Sequence, residues 1–243
     1  MRVLSTVPWT LRRMSRDYIV LLLLLVVPIV LISLFSYLMG NVMTDSGTLL
    51  FHDTAQQMIM SFQLFAGSVV MSYLYYDLFT EKRMRIFTLP FNKSLYAFSI
   101  MLCGTVYSVI LGVLLMSYAQ FVLGVVWEHW LWTIYNLLLL SMVSSIVSLI
   151  LMFSVRSFKI AERLTELYGV GFIVLAGLFF PMPDNAVMNF LGSYGNPLML
   201  SDGAVTAMAD GKVGEAWLHA NLLAAAIVVL FPLMLLLGRR KMR

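Results

Sequence analysis

Charge is scarce in this chain: Asp, Glu, Lys and Arg make up 12% of its 243 residues, while 61% are hydrophobic. A soluble domain carries roughly a quarter charged residues, so this composition points to lipid as the solvent. Cysteine is almost absent. The lone Cys103 excludes an internal disulfide and, inside an apolar run, reads as a small apolar side chain. The three histidines, His52, His129 and His219, are 77 and 90 residues apart and never fall in a His-Glu-x-x-His spacing, which argues against a membrane metalloprotease. All three lie outside the depth of the serine-rich runs, so a serine nucleophile has no base beside it. His52 and Asp53 adjoin, and such a pair is more often solvated than metal-bound. A Gly-x-x-x-x-Gly-Lys-Ser/Thr loop is also lacking, so the chain is not expected to be an enzyme or to hydrolyse ATP by that route.

What it has is long apolar runs. Six stand out, at about 18–39, 57–78, 96–126, 130–155, 165–180 and 218–238, and predict an all-α integral membrane protein with six transmembrane helices. The first, Tyr18 to Met39, has 22 residues, enough for about 30 Å of hydrocarbon and too long for a secretory signal core. The third exceeds what a bilayer needs and is expected to tilt or project. The fifth runs into Pro181, and the Gly/Pro-punctuated stretch 181–217 is too polar to cross. The chain is expected to form one transmembrane domain over 1–243.

Basic residues sort by side. Arg2, Arg12, Arg13 and Arg16 precede the first run. Lys82, Arg83, Arg85 and Lys93 lie between the second and third. Arg156, Lys159 and Arg163 lie between the fourth and fifth, and Arg239, Arg240, Lys241 and Arg243 follow the sixth. That is fifteen of the sixteen Lys and Arg on one face, leaving Lys212 on the other. Lys and Arg collect on the cytoplasmic side, which predicts both termini inside. Within residues 1–17, Leu4, Val7, Leu11 and Met14 recur at helical spacing while Arg12, Arg13 and Arg16 fall largely off that stripe, the pattern of a helix lying in the interface. A flexible basic leader is the alternative.

No ionisable residue falls at the middle of a run; Asp77, Glu162 and Glu166 sit at the cytoplasmic ends, where water or an arginine solvates them. Gly104, Ser108 and Gly112 recur every fourth residue, and Ser141, Ser144, Ser145 and Ser148 make a second small-residue stripe. In lipid such stripes let helices approach closely. Packing is the simpler reading. The other is a polar path for substrate lined by Gln63, Gln120, Asn136, Ser141 and Ser145. Eighteen methionines suit varied apolar ligands but are equally at home in lipid.

Two stretches carry a resemblance. One runs Tyr76-Asp77-Leu78-Phe79-Thr80-Glu81-Lys82-Arg83-Met84-Arg85-Ile86-Phe87-Thr88-Leu89-Pro90; the other is Gly177-Leu178-Phe179-Phe180-Pro181 followed by Tyr194-Gly195-Asn196-Pro197-Leu198. Together they resemble the permease subunits of type-2 ATP-binding-cassette transporters. The resemblance implies an N-terminal connecting helix (1–17), a cytoplasmic coupling loop (79–94) and an extracellular re-entrant helical gate segment between spans five and six (181–217). In it, Glu81, Lys82, Arg83, Arg85, Phe87 and Leu89 would meet the ATPase, and Phe180, Pro181, Asn196 and Pro197 would form the gate. One departure is Lys82-Arg83-Met84 after Glu81, where relatives often carry Gly-Thr.

The expected function is therefore the permease subunit of an ATP-driven exporter in a bacterial plasma membrane, moving an amphiphile such as a drug, antimicrobial peptide or lipid. Its expected partners are two copies of a separate ATPase, which would hold ATP and magnesium, a second permease chain (identical or related) and membrane lipids, with no nucleic acid. The chain itself is expected to bind no cofactor. An ion-coupled secondary carrier and a non-transport membrane scaffold are the alternatives.

Overall fold

A computed structural model describes residues 7–40, 42, 50–80, 84, 93–178 and 185–241. Among these the regular structure is helical throughout: α1 (Val7–Met14), α2 (Tyr18–Met39), α3 (Leu50–Gln63), α4 (Ala66–Leu78), α5 (Lys93–Leu123), α6 (Trp130–Ser154), α7 (Phe158–Leu175), α8 (Ala186–Gly192), α9 (Pro197–Ala209) and α10 (Val213–Lys241). In hydrocarbon each backbone N–H and C=O must find its partner within the segment, which these long apolar runs achieve only as helices.

Five stretches are long and apolar enough to cross a membrane: α2, α3 with α4, α5, α6 and α10. α7 differs, because Lys159, Glu162, Arg163 and Glu166 occupy its first nine residues. α5 spans 31 residues, about 46 Å at 1.5 Å per residue, longer than hydrocarbon requires. α2 contains a wide turn at Leu22–Val26 just ahead of Pro28. The proline ring would meet the carbonyl four residues back, and the wider turn relieves that clash.

α6 is the axis of the bundle, packing against α3, α4, α5, α7, α9 and α10. α2 and α10 stand at the outside, with few of their residues buried. The helix ends gather in two sets. At one end Arg13 of α1 meets Asp77 of α4, Tyr75 stacks on Phe158 at 4.1 Å, and Lys241 reaches the last carbonyls of α6. Arg12, Arg13, Arg16, Arg156, Lys159, Arg163, Arg239, Arg240 and Lys241 all belong to helix ends gathered there, so we call it the basic end. At the opposite end Trp132 donates to the Ala204 carbonyl (2.8 Å) and packs against Trp217 at 4.8 Å. α7 carries the chain between the two, from Phe158 at the basic end to Phe172, whose carbonyl accepts from Asn196.

Candidate functional site

The second apolar run is broken in mid-course. α3 ends at Gln63 and α4 starts at Ala66, with Leu64 and Phe65 held by shorter-range bonds from the Leu64 N–H to the Ser61 carbonyl and from the Phe65 N–H to the Phe62 carbonyl. Such a break in lipid must be satisfied by neighbours, and the serine stripe of α6 does this. Ser144 donates to the Leu64 carbonyl, while the Gln63 Oε1 accepts from Ser141 (2.7 Å) and from Ser108 of α5 (2.6 Å). Ser145 donates back to the Ser141 carbonyl and lies 3.3 Å from Thr105. Gly67 follows the break: a Cβ there would come within 2.3 Å of the Ser144 carbonyl oxygen, so the backbones of α4 and α6 touch only because the side chain is missing.

The other side of the broken helix faces open space. Phe62, Phe65, Ser68, Val69, Ser72 and Tyr73 form one wall of a groove of roughly 540 Å³, opposed by Val20, Leu23, Leu24 and Val27 of α2. Asp17, Glu162 and Glu166 line its basic-end mouth, and among the described residues no Lys or Arg lines it. Asp17 caps α2 and accepts from the Tyr73 hydroxyl at 3.0 Å; Glu166 pairs with Arg163 at 2.6 Å.

Beside this mouth lies an ionic knot. Asp77 is 1% exposed, and both its oxygens accept from Arg13 Nη1 at 3.0 Å, while the Tyr96 hydroxyl donates to it at 2.9 Å. The Arg13 guanidinium also stands 4.5 Å over the Tyr73 ring. α1 is thereby tied to both flanks of the segment 81–92, at the end of α4 and the start of α5. Met14, fully buried, and the contact of Cys103 Sγ with the Val7 carbonyl at 3.9 Å seat α1 on α5.

The sequence model of the ABC-2 type transporter family matches residues 4–207, most of the chain. The chain belongs to that family. It is thus the membrane-spanning permease of an ABC transporter, a component that has no ATPase of its own and works with an ATP-binding subunit. No curated protein and no solved structure matches it.

The permease brings some predicted residues together and separates others. Gln63, Ser141 and Ser145 meet at the break, each shielded from solvent by the chain's own helices. Gln120 lies apart, accepting from Trp130 Nε1 at 2.8 Å, and Asn136 is buried with its Nδ2 on the Trp132 carbonyl. None of these five lines the groove. Asn196 and Pro197 open α9: the Asn196 Oδ1 accepts from the Leu198 N–H, its Nδ2 donates to the Phe172 carbonyl, and Pro197 fills the first helical turn, where no N–H is needed. Glu81, Lys82, Arg83, Arg85, Phe87, Leu89, Phe180 and Pro181 lie outside the described residues.

Two features escape a reading of the sequence. The Arg13 partner of Asp77 comes from 64 residues away. Asp202, within the stretch 181–217, is buried in α9 against α3, where its oxygens accept from Gln56 (2.8 Å) and Gln57 (3.0 Å). Burial pushes its carboxyl above the usual range; the two amide donors pull partly back, and Asp53 pushes the same way as burial. The only advance signal was a carboxylate within an otherwise small and apolar α9.

Proposed function

We propose that this permease is the membrane half of an ATP-driven exporter for cationic amphiphiles. The groove carries this reading: its apolar floor suits an acyl or aromatic body, and Asp17, Glu162 and Glu166 stand at its mouth, Glu166 paired with Arg163, which is not itself a lining residue. A second permease chain, facing this one across the exposed face of α2, would close the groove into a path. Six crossings with both ends cytoplasmic fit the gathering of basic side chains at one end and the passage of α7 between ends. The first seventeen residues would lie in the interface, and α8 and α9 would form the extracellular re-entrant gate with Phe180, Pro181, Asn196 and Pro197. Two ATPase subunits, holding ATP and magnesium, would push the loop 79–94 through Glu81, Lys82, Arg83, Arg85, Phe87 and Leu89 in a bacterial plasma membrane.

Ion-coupled carriage has less support, since among the described residues the charged side chains of the five apolar spans lie at their ends. The test is ATP turnover in proteoliposomes holding the permease with its ATPase, with dodecyltrimethylammonium or dodecyl sulfate added below micelle formation. The cation should stimulate and the anion should not, and Glu162→Gln with Glu166→Gln should abolish the difference. Equal stimulation by both would remove the charge selection. Transport that persists without ATP but collapses with the proton gradient would remove the exporter.

A further inference from the structure

At the basic end, on the outer side of the bundle, two hollows adjoin. One, of roughly 460 Å³, lies between Ser154, Val155 and Arg156 at the end of α6 and Leu237, Arg240 and Lys241 of α10. The other, of roughly 190 Å³, shares Arg156 and Lys241 and is floored by Tyr75, Phe79 and Phe158. Among the described residues no carboxylate lines either hollow. Among the described residues the ion pairs are Arg13–Asp77, Arg163–Glu166 and Lys212–Asp210, none of which engages Arg156, Arg240 or Lys241. Three cations thus converge on one concavity with no countercharge among the described residues.

Lys241 is fixed in place. Its ammonium donates to the Met152 carbonyl at 2.5 Å and to the Val155 carbonyl, closing the end of α6. An ammonium has three N–H groups, so one remains for a ligand. The two guanidiniums add forked donors suited to the oxygens of a phosphate. α7 begins beside the smaller hollow with no side-chain cap on its first turn, leaving backbone donors there as well.

We infer that this concavity binds the phosphate of an anionic lipid headgroup. Lipid is the occupant because the hollow continues into apolar surface: Leu237 lines it, and Leu233 and Leu236, 44% and 64% exposed, run up the same helix where acyl chains would lie. A soluble phosphate would leave that surface uncovered. The site lies apart from the groove and stands whether or not the exporter reading holds.

The test is native mass spectrometry of the delipidated permease titrated with phosphatidylglycerol or phosphatidylcholine. The expected result is one retained phosphatidylglycerol, with Arg156→Gln plus Arg240→Gln weakening retention roughly tenfold or more. Lys159→Gln plus Arg163→Gln, at the same end but outside the hollow, should leave it unchanged. Inorganic phosphate should not displace the lipid. Both guanidiniums are exposed, so the first variant is expected to fold; Arg240→Gln alone, with its melting temperature checked, provides a second reading. Equal loss in the two double variants would mean only general surface charge, and displacement by phosphate would mean a soluble anion; either overturns the proposal. So would unchanged lipid retention with lost binding of the ATPase, which would assign these cations to a protein carboxylate.

Discussion

At the scale of single residues, the knot around Asp77 and the clasp around Asp202 handle a buried carboxylate in opposite ways. Asp77 has a full cation against both oxygens and a phenol besides, so its charge is neutralised where it sits. Arg13 is 41% exposed at its side chain, which reduces its hold through screening. Arg13→Ala should therefore cost about 1–3 kcal/mol, read as a lower melting temperature in detergent. Asp77→Asn, which removes the charge and keeps an acceptor for Tyr96, should cost less; a larger loss from Asp77→Asn would show that the charge itself matters elsewhere. Asp202 has only neutral amide donors, and burial raises its proton affinity. A carboxyl whose folded value is raised stabilises the fold below the ordinary carboxylate range and loses that contribution as pH climbs through the raised value. The docking of α9 on α3 should thus be tightest in acid, and hydrogen-exchange protection over 197–209, after the intrinsic rise of amide exchange with pH is divided out, should fall as pH rises. In Asp202→Asn that dependence should vanish.

At the scale of elements, the broken second span explains why the serines of α6 are where they are. Periodicity showed the stripe Ser141, Ser144, Ser145 and Ser148 but not its partner, because Gln63 and Gly67 inside an apolar run fit an unbroken helix as readily as a broken one. Leu64 and Phe65 are ordinary membrane residues; the close approach at Gly67 and the Ser144 donor to the Leu64 carbonyl accompany the break. The long apolar helices were legible, since they depend on local composition, and the described basic residues of the helix ends gather at one end as their spacing between the apolar runs suggested. Arg13–Asp77 and Gln56–Asp202 were not legible, since each joins residues far apart in the chain. Gly67→Ala should push α4 off α6 and cost about 1–3 kcal/mol, whereas Gly171→Ala, with nothing within 4 Å of its added carbon, should be near neutral. Ser144→Ala, which strips the Leu64 carbonyl of its donor, should cost about 1 kcal/mol. If Gly67→Ala melts like the parent, the contact between these helices is looser than the geometry requires.

At the scale of the molecule, the decisive matter is whether α7 crosses. Composition alone leaves it short, with four charges in its first nine residues. Connectivity argues the other way. α6 finishes at the basic end, where Lys241 caps it, while α10 starts at the opposite end, where Trp217 packs on Trp132. The chain between them has to travel from one end to the other, and α7 is the helix that makes the journey, with its charges confined to the turns nearest the basic end. Parity then gives the test. Six crossings leave both termini on one side; five place them on opposite sides. Cys103 is 2% exposed, so the parent should be silent to a membrane-impermeant maleimide and single cysteines can be added to it directly. In intact cells Lys212→Cys should label, while Arg16→Cys and Arg240→Cys should label only once the membrane is opened. If Arg16→Cys and Arg240→Cys respond on opposite sides, α7 does not cross, and the alignment of every basic cluster on the ATPase side fails with it.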